Sequence, residues 1–289
     1  MNILEIKNLT HIYGEGTSFE KKALDDVSLE IEQGDLIGII GHTGSGKSTF
    51  VQHLNGLLKP TSGQILLDGE DIWQNPKDIR KIRFRVGMVF QYPEYQLFEE
   101  TVSKDIAFGP KNMELAEEEV QRRVQEAAKM VSLREELLDK SPFELSGGEK
   151  RRAAIAGVMA MEPEVLVLDE PTAGLDPKGR DQILEMIKEY RERVNSTVLF
   201  VSHSMEDIAK VAKKVLVIDK GHVAMYGPTY EVFSKAEELQ SMGLTIPAVT
   251  KIFEGLKAKG LYEGQNAYTV DQAVDALLPL LRKGGGADA

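Results

Sequence analysis

Short stretches of alternating apolar and polar residues occupy the N-terminal part of the chain. The alternation runs through residues 3–9, 27–31 and 65–67. A period of two places apolar side chains on one face of a strand and polar side chains on the other. We therefore predict an N-terminal antiparallel β subdomain with one buried face.

A second kind of strand is apolar on both faces. Apolar residues follow one another with little alternation at residues 36–40, 86–90, 165–168, 198–201 and 215–218. Helical patterns lie between them, notably at residues 47–58, 149–161 and 177–194. Strands buried on both faces and separated by helices are typical of a parallel sheet covered by helices. The pattern predicts an α/β fold.

A charged segment at residues 116–138 carries an apolar stripe at helical spacing. The apolar positions of this stripe are Val120, Val124, Ala127 and Val131. This spacing predicts a helix with one packed face and one solvated face. We expect a helical insertion at about residues 92–160 within a main domain at residues 1–228.

The chain changes character after the Gly-Pro pair at residues 227–228. Thr269, with Gln272 three residues later, is typical of a helix start. We predict a small C-terminal helical appendage at residues 229–289, with a disordered tail at residues 284–289. Its two amphipathic stripes consist of Val249, Ile252, Phe253 and Leu256, and of Val274, Leu277, Leu278 and Leu281.

Composition narrows the class of protein. The chain has 289 residues and a net charge of −11, so general binding to nucleic acid through a basic surface is not expected. It has no cysteine, which excludes disulfides and thiolate metal sites. The longest apolar runs are far shorter than the ~20 residues that cross a bilayer, and no secretory signal pattern is visible. We expect a cytoplasmic protein.

A glycine-rich segment follows the buried strand that ends at Ile40. The eight residues that begin at Gly41 match the pattern G-x-x-x-x-G-K-S/T, and a helical pattern comes next. In this setting, backbone N–H groups and the helix N-terminus bind phosphate oxygens, which a chance glycine-rich turn would not do. We expect Lys47 to neutralise the β- and γ-phosphates and Ser48 to bind Mg²⁺. The other candidate phosphate-binding residues are Gly41, His42, Thr43, Gly44, Ser45, Gly46 and Thr49.

Two adjacent carboxylates, Asp169 and Glu170, end another buried strand. Carboxylates in this position need a cation or a proton donor unless they merely solvate a loop. Neighbouring side chains of a strand point to opposite faces, so the two are expected to act separately. One would face Mg²⁺ and the other an attacking water molecule. The nearby phosphate-binding pattern favours this interpretation over loop solvation.

The segment LSGGE at residues 145–149 allows two interpretations. Ser146 and Glu149 fit a capping box that opens the next helix. A cap does not need two consecutive glycines, each of which raises the entropic cost of ordering the turn. Because paired glycines suit close approach to an anion, we interpret Ser146, Gly147 and Gly148 as a second phosphate-binding element.

The order of these motifs resembles the ATP-binding subunits of ATP-binding-cassette transporters. The phosphate loop, LSGGE, VLVLDE and the pair Ser202-His203 carry the resemblance over about residues 3–230. It implies a P-loop nucleoside-triphosphatase fold with a mixed, mainly parallel core sheet that binds ATP and Mg²⁺. In that family, the LSGGQ-like turn binds the γ-phosphate of the nucleotide on the opposite subunit. Glutamate replaces glutamine at position 149, within the capping box, where we expect little effect.

The same resemblance assigns roles to single residues. It implies that Tyr13 stacks on adenine, although an aromatic residue after a strand is also common in a core. Gln91 would link Mg²⁺ and the water to the membrane partner, and Asp169 would bind the metal. Glu170 would be the general base, and His203 would contact the γ-phosphate.

The sequence from Gln91 onward, QYPEYQLFEETV, resembles a narrower group, the energy-coupling factor transporters. The pair His42-Thr43 and the run QHLNG at residues 52–56 resemble the second of their two ATPases, the A-prime type. An aromatic cluster beside acidic residues suits a short helix with an arginine from the membrane subunit, and the alternative is an ordinary hydrophobic hinge. This docking segment, residues 92–98, offers Tyr92, Glu94, Tyr95, Leu97 and Phe98.

The resemblance implies an ATPase that powers uptake of vitamins or other micronutrients. Such a protein would lie on the cytoplasmic face of a prokaryotic cell membrane as a peripheral subunit. Its partners would be a second cassette ATPase, in a heterodimer or a homodimer, a transmembrane coupling subunit and an exchangeable substrate-binding membrane subunit. The C-terminal helices resemble an extra domain that adds contact between the two ATPases.

Three alternatives remain open at this point. The first is the ATPase of a cobalt or nickel importer of the same group. The second is a soluble cassette protein acting on DNA or ribosomes, which would normally need a tandem cassette or a long coiled-coil insertion. The third is a binding module with inactive machinery, which the intact Glu170 and His203 argue against.

Overall fold

The computed structural model describes residues 1–284 and contains two β-sheets. The smaller sheet is antiparallel and has the strand order β2-β1-β4-β5. This confirms the antiparallel sheet expected from the alternating pattern. Its strands are β1 (Asn2–Tyr13), β2 (Lys21–Glu32), β4 (Ser62–Leu67) and β5 (Glu70–Asp71).

The larger sheet has the strand order β10-β9-β3-β8-β7-β6. Its strands are β3 (Leu36–Ile40), β6 (Val86–Val89), β7 (Val165–Asp169), β8 (Thr197–Val201), β9 (Lys214–Asp219) and β10 (His222–Pro228). The pairs from β9 to β6 are parallel, and β10 is antiparallel at one edge. The five strands without alternation therefore form a mainly parallel sheet, as predicted.

Helices cover the larger sheet and extend beyond it. Those before residue 200 are α1 (Lys47–Leu54), α2 (Ile79–Arg85), α3 (Val102–Asn112), α4 (Glu117–Met130), α5 (Gly147–Met159) and α6 (Pro177–Val194). Those after residue 200 are α7 (Met205–Val211), α8 (Thr229–Ser234), α9 (Ala236–Ser241), α10 (Ala248–Ala258) and α11 (Val270–Gly284).

The two faces of the parallel sheet bury different partners. On β7, Val165 and Val167 pack with the antiparallel sheet and α1, whereas Leu166 and Leu168 pack with the helices of the other face. This alternation follows from the period of two along a strand, and both faces are apolar because both are covered. The parallel strands also end at one common edge, so the loops that follow β3, β7 and β8 lie side by side.

Some predicted helix bounds differ from those in the structure. The helix expected at residues 47–58 ends at Leu54, because Asn55 caps it and Gly56 adopts a left-handed φ of 67°. The helix expected from residue 149 begins at Gly147. The stripe at residues 116–138 forms α4 only as far as Met130.

Both C-terminal stripes lie on helices, α10 and α11. Thr269 Oγ1 accepts a hydrogen bond from the Gln272 N–H, 3.3 Å, which confirms the predicted start of the second helix. The Leu281 side chain and residues 285–289 of the predicted tail lie outside the described residues. Sequence patterning did not predict α8 and α9. The domain boundaries stay predictions.

Among residues 1–284, no helix combines the length and apolar character that crossing a membrane requires.

Candidate active site

The phosphate loop is packed tightly by neighbouring strands. A Cβ atom on Gly46 would lie 2.6 Å from the Ala23 carbonyl oxygen, and Gly46 has a left-handed φ of 110°. A Cβ atom on Gly41 would overlap the Ile218 carbonyl oxygen. These two glycines are therefore required by the chain's own packing.

Lys47 lies across the loop that precedes it. Its Nζ donates hydrogen bonds to the carbonyl oxygens of Gly41, 2.6 Å, and His42, 3.0 Å. Burial lowers the pKa of Lys47, while the charges of Glu170 and Asp169 act in the opposite direction. The ammonium is thus held at the loop with two carboxylates nearby, as the motif predicts.

Asp169 ends β7 and is buried beside the first turn of α1. Burial raises the pKa of Asp169, and a hydrogen bond from the Ser48 hydroxyl acts against this rise. A hydroxyl and a carboxylate in contact are oxygen ligands suited to Mg²⁺, which usually takes one or two protein carboxylates and keeps waters and substrate phosphates. The two predicted ligands therefore fit Mg²⁺. The third, Gln91, is exposed at the same edge of the sheet, after β6.

Glu170 lies one residue further along the chain, at the start of the loop after β7. Its backbone adopts a left-handed φ of 53°, and its N–H donates to the Val201 carbonyl oxygen, 3.0 Å. Burial, and next the charge of Asp169, raise the pKa of Glu170 to about 7. Its Oε1 lies 3.5 Å from His203 Nε2 and has no hydrogen-bond partner among the described residues. This oxygen is therefore a buried acceptor whose hydrogen-bonding capacity is unused within the described residues.

His203 follows β8 and is exposed. Burial of its ring lowers the pKa of His203, with the charge of Lys47 acting in the same direction. The structure therefore brings together four residues predicted from separate motifs, namely Lys47, Asp169, Glu170 and His203. The order of the parallel strands accounts for this convergence, because β8 lies between β3 and β7.

A cleft lies beside the phosphate loop, at the end of β1. Tyr13 is 41% exposed, and its hydroxyl lies 3.2 Å from Thr49 Oγ1. The predicted residues that line this cleft are Tyr13, Gly44, Gly46, Lys47, Ser48 and Thr49. Sequence reasoning missed Lys21 and Ala23, which also line it. No motif marks them, since they reach the loop only because β2 pairs with β1.

Two other side chains of the phosphate loop, those of His42 and Ser45, lie against other parts of the chain. His42 Nε2 lies 3.1 Å from Asp219 Oδ1, and its Nδ1 lies 2.8 Å from the Thr43 carbonyl oxygen. The Ser45 hydroxyl is buried without a hydrogen-bond partner among the described residues. The Ser45 N–H also donates within the loop, to the His42 carbonyl oxygen, 3.1 Å.

The LSGG turn, residues 145–148, lies on a different surface. Both bonds of the predicted capping box are present, since Ser146 Oγ accepts from the Glu149 N–H and Glu149 Oε2 accepts from the Ser146 N–H. A Cβ atom on Gly147 would meet nothing within 4 Å. Ser146, Gly147 and Gly148 are absent from the lining of the cleft at the phosphate loop. Gly148 instead lines a separate cleft of about 310 Å³ between α5 and α6.

The docking segment presents aromatic side chains to solvent. Tyr92, Tyr95 and Phe98 are exposed, Tyr95 to 85%. Phe98 packs edge-on against Phe108, with ring centroids 5.0 Å apart. Leu97 and Phe98 line a groove of about 340 Å³ that α3 and α5 complete.

Glu94 of this segment makes an ion pair within the chain. Arg151 of α5, which is buried, binds both of its carboxylate oxygens, at 2.9 and 3.1 Å. Arg151 also donates to the Ala173 carbonyl oxygen. The docking role predicted for Glu94 stays a prediction, and its carboxylate is already paired with an arginine of the same chain, which the sequence did not predict. The pair connects the docking segment to the LSGG helix and to the loop after β7.

Comparison with known proteins shows to which family this chain belongs. A family model described as "ABC transporter" matches residues 24–173. The energy-coupling factor transporter ATP-binding protein EcfA2 of Clostridium tetani is 57% identical over 96% of this chain and 96% of its own length. The corresponding protein of Bacillus subtilis is 49% identical over 92% of this chain and 98% of its own. This chain belongs to the energy-coupling factor branch of the ABC transporter family.

Solved structures of ABC transporter proteins and ATP-binding cassettes are similar to this chain. The structure of cbiO1 from Clostridium perfringens, described as part of the ABC transporter complex cbiONQ, is 40% identical with a TM-score of 0.74. It covers 88% of this chain and 99% of its own. A dimeric ATP-binding cassette bound to ADP and Pi is 29% identical with a TM-score of 0.71, over 78% of this chain and 98% of its own. The predictions of family and of an α/β ABC fold are confirmed.

Proposed function

We propose that this chain is the ATP-hydrolysing subunit of an energy-coupling factor transporter. The observation that carries the proposal is the convergence of Lys47, Asp169, Glu170 and His203 at one sheet edge, in a chain that matches such ATP-binding proteins over nearly its full length. The names of those relatives favour this function over a metal-ion importer of the same group.

Nucleotide binding follows from the phosphate loop. Its N–H groups and the N-terminus of α1 surround the phosphates, and Lys47 neutralises their charge. Ser48 and Asp169 provide oxygen ligands for Mg²⁺, which would screen phosphate charge when bound. Tyr13, whose hydroxyl lies beside Thr49, offers an aromatic ring on which the adenine can stack.

Hydrolysis depends on Glu170. A carboxylate with a pKa of about 7 is well matched to take a proton from water at neutral pH. Its partnerless oxygen can accept a hydrogen bond from that water and orient it for in-line attack on the γ-phosphate. His203, beside it, donates to the γ-phosphate and holds it in line. Gln91 connects this region to the docking segment.

The LSGG turn supplies the missing half of the site to a second cassette. The open space around Gly147 supports this role, because no contact within residues 1–284 requires glycine there. Ser146 and the N-terminus of α5 would then bind the γ-phosphate held by the partner. The partner is a second ATPase of the family, in a heterodimer or a homodimer, and the appendage after residue 228 adds contact between the two.

The docking segment and its groove bind the transmembrane coupling subunit. Its exposed aromatic residues, with an apolar groove beside them, are typical of a site for a short amphipathic helix. The complex also contains a substrate-binding membrane subunit and imports a vitamin or other micronutrient. The chain then lies at the cytoplasmic face of a prokaryotic membrane.

Affinity purification from native membranes tests this function. We expect a related ATPase and integral membrane subunits to copurify and to be identified by mass spectrometry. The double variant Tyr95→Ser/Phe98→Ser should lose the membrane subunits and keep the partner ATPase. Phe19→Ser, which removes an exposed aromatic side chain outside both proposed partner surfaces, is the matched control. Recovery of the chain only with ribosomes or nucleic acid would contradict the proposal.

A further inference from the structure

Two buried histidines lie directly behind the tyrosine of the nucleotide cleft. His11 of β1 is 9% exposed and His53 of α1 is 0% exposed. His53 Nε2 and His11 Nδ1 are 3.1 Å apart. Neither residue lines the cleft, and none of the roles described above uses them. Burying two imidazoles is costly unless their polar atoms are used, so the pair calls for a physical reason.

The hydrogen-bond directions of the pair follow from its neighbours. The Thr49 carbonyl oxygen, 2.7 Å from His53 Nδ1, can only accept, so His53 donates from that nitrogen. Burial lowers the pKa of His53 to about 4, so its ring is neutral at pH 7 and its Nε2 accepts. His11 therefore donates from Nδ1. The Lys59 backbone also bonds the His53 ring, and His11 Nε2 is buried without a partner among the described residues, so the bond between the two rings is the polar contact that orients His11.

The pair connects Tyr13 to the phosphate loop. The rings of His11 and Tyr13 pack edge-to-face, with centroids 4.4 Å apart and an interplanar angle of 80°. The Tyr13 hydroxyl returns to Thr49 Oγ1 at 3.2 Å. The contacts thus form a closed circuit from Thr49 through His53, His11 and Tyr13 back to Thr49.

We propose that His11 and His53 are positioning residues that hold the Tyr13 ring at a set distance from the phosphate loop, and so determine the base-dependent part of nucleotide affinity. The inference rests on the proposed ATP site. Tyr13 ends β1 beside the glycine turn at Gly14 and is 41% exposed. A ring fixed before binding loses less rotational freedom when a base stacks on it.

The test compares two probes on the full chain by calorimetry: a non-hydrolysable ATP analogue and inorganic tripolyphosphate, both with Mg²⁺. Tripolyphosphate lacks the base, so it reports the phosphate loop alone. Tyr13→Ala should weaken analogue binding about tenfold and leave tripolyphosphate binding unchanged. His11→Ala should weaken analogue binding about fivefold, again without effect on tripolyphosphate.

A double-mutant cycle separates positioning from a general structural role. The double variant His11→Ala/Tyr13→Ala should bind the analogue no more weakly than Tyr13→Ala alone, because His11 acts only through the tyrosine. His11→Phe keeps the ring packing and loses the hydrogen bond, and it provides a second variant if His11→Ala folds poorly. Thr10→Ala is the matched control, since its hydroxyl bonds Asp26 instead.

Three outcomes would overturn the inference. Equal losses for both probes would assign the histidines to the stability of the loop. Full additivity with Tyr13→Ala would show that His11 acts independently of the ring, and unchanged analogue binding in both His11 variants would show no role in affinity. If Tyr13→Ala itself leaves analogue binding unchanged, base stacking at Tyr13 is wrong, and the inference fails with it while hydrolysis at Glu170 stays open to its own test.

Discussion

The phosphate loop and the LSGG turn are both glycine-rich segments that open a helix, yet the chain treats them differently. Gly46 of the loop is surrounded, so that a Cβ atom would lie 2.6 Å from the Ala23 carbonyl oxygen. A Cβ atom on Gly147 of the turn would have no neighbour within 4 Å among the described residues. The loop also holds its lysine through two carbonyl groups. In the turn, Leu145 is buried in the core, whereas Ser146 and Gly147 are exposed and Ser146 bonds Glu149 of its own capping box.

This difference separates two reasons for glycine. At the phosphate loop, the backbone conformation and the neighbouring strands require it, whatever binds there. At the LSGG turn, nothing in the described chain requires it, so the reason must come from a molecule that approaches from outside. This contrast supports the proposal that the phosphate loop binds a nucleotide within this chain, while the LSGG turn completes the nucleotide site of a second cassette.

The largest expected effect on ATP hydrolysis comes from Glu170→Gln, which tests the site at the phosphate loop. Loss of the proton-accepting carboxylate should slow ATP hydrolysis by about 10² to 10³, because the water is no longer activated. ATP binding should persist, since the phosphate loop is unchanged. Steady-state ATPase assays and equilibrium binding measure the two effects. Glu185→Gln, on the exposed side of α6, is the control, and near-normal turnover of Glu170→Gln would rule out the assignment.

A pair of glycine substitutions tests the comparison directly. Gly46→Ala should unfold at lower denaturant and lose ATP binding, because the new methyl meets the Ala23 carbonyl oxygen and the left-handed φ of 110° is strained. Gly147→Ala should keep the stability and ATP binding of the isolated chain. It should still lower ATPase activity of the assembled complex about tenfold or more, because the methyl blocks the partner's nucleotide.

Chemical denaturation of the purified chain and ATPase activity of the assembled complex provide the two measurements. If Gly147→Ala hydrolyses ATP at the normal rate in the complex, the turn does not approach a nucleotide. If it destabilises the chain as much as Gly46→Ala does, the distinction between the two glycines is wrong.

Two ionisable residues, His53 on α1 and Glu149 on α5, should make the fold less stable in different pH ranges. Burial lowers the pKa of His53 on α1 from 6.5 to about 4, so protonation is favoured in the unfolded chain and stability falls as pH drops from 6.5 to 4. This contribution amounts to about 3 kcal/mol. Hydrogen bonds from Ser146 lower the pKa of Glu149 on α5 from 4.5 to about 2, so its contribution is lost only between pH 4.5 and 2.

Denaturant unfolding of the wild type and His53→Gln across pH 4 to 7 isolates the first window. The stability difference between the two proteins should shrink as pH falls, while the chain with Glu149→Gln should keep the wild-type slope above pH 4.5. A pH-independent difference for His53→Gln would show that His53 is protonated in neither state or equally in both.

The smallest effect is expected for Glu149→Gln at neutral pH. Glutamine can accept the same hydrogen bond from the Ser146 N–H, so the capping box persists. It loses the carboxylate charge and the ion pair with Arg134, and because solvent screens this charge, the free energy of unfolding should fall by only about 0.5 kcal/mol. Glu149→Ala removes the box and should cost about 1 kcal/mol. Thermal denaturation followed by circular dichroism compares the two, and equal losses would show that the charge, not the box, matters.

Much of the site could be predicted because its residues lie in short motifs. Lys47 and Ser48 follow from one pattern, and Asp169 with Glu170 from another, since each depends on neighbours along the chain. Contacts between distant positions gave no such signal. Glu94 and Arg151 are 57 residues apart, and His11 and His53 are 42 apart. Taken singly, each of these four residues looks like an ordinary surface or core residue. Only the fold brings the two members of a pair into contact.

Local chemistry along the chain thus determined the kinds of strand, the phosphate loop, the paired carboxylates and the capped LSGG helix. A period of two, a glycine pattern or a cap depends on interactions across only a few residues, so sequence alone records them. The tertiary structure decided which ends of the parallel strands meet, that Glu94 is already bound, and that the two glycine turns face different surfaces. Those outcomes depend on strand order and packing between remote segments, which no local pattern encodes.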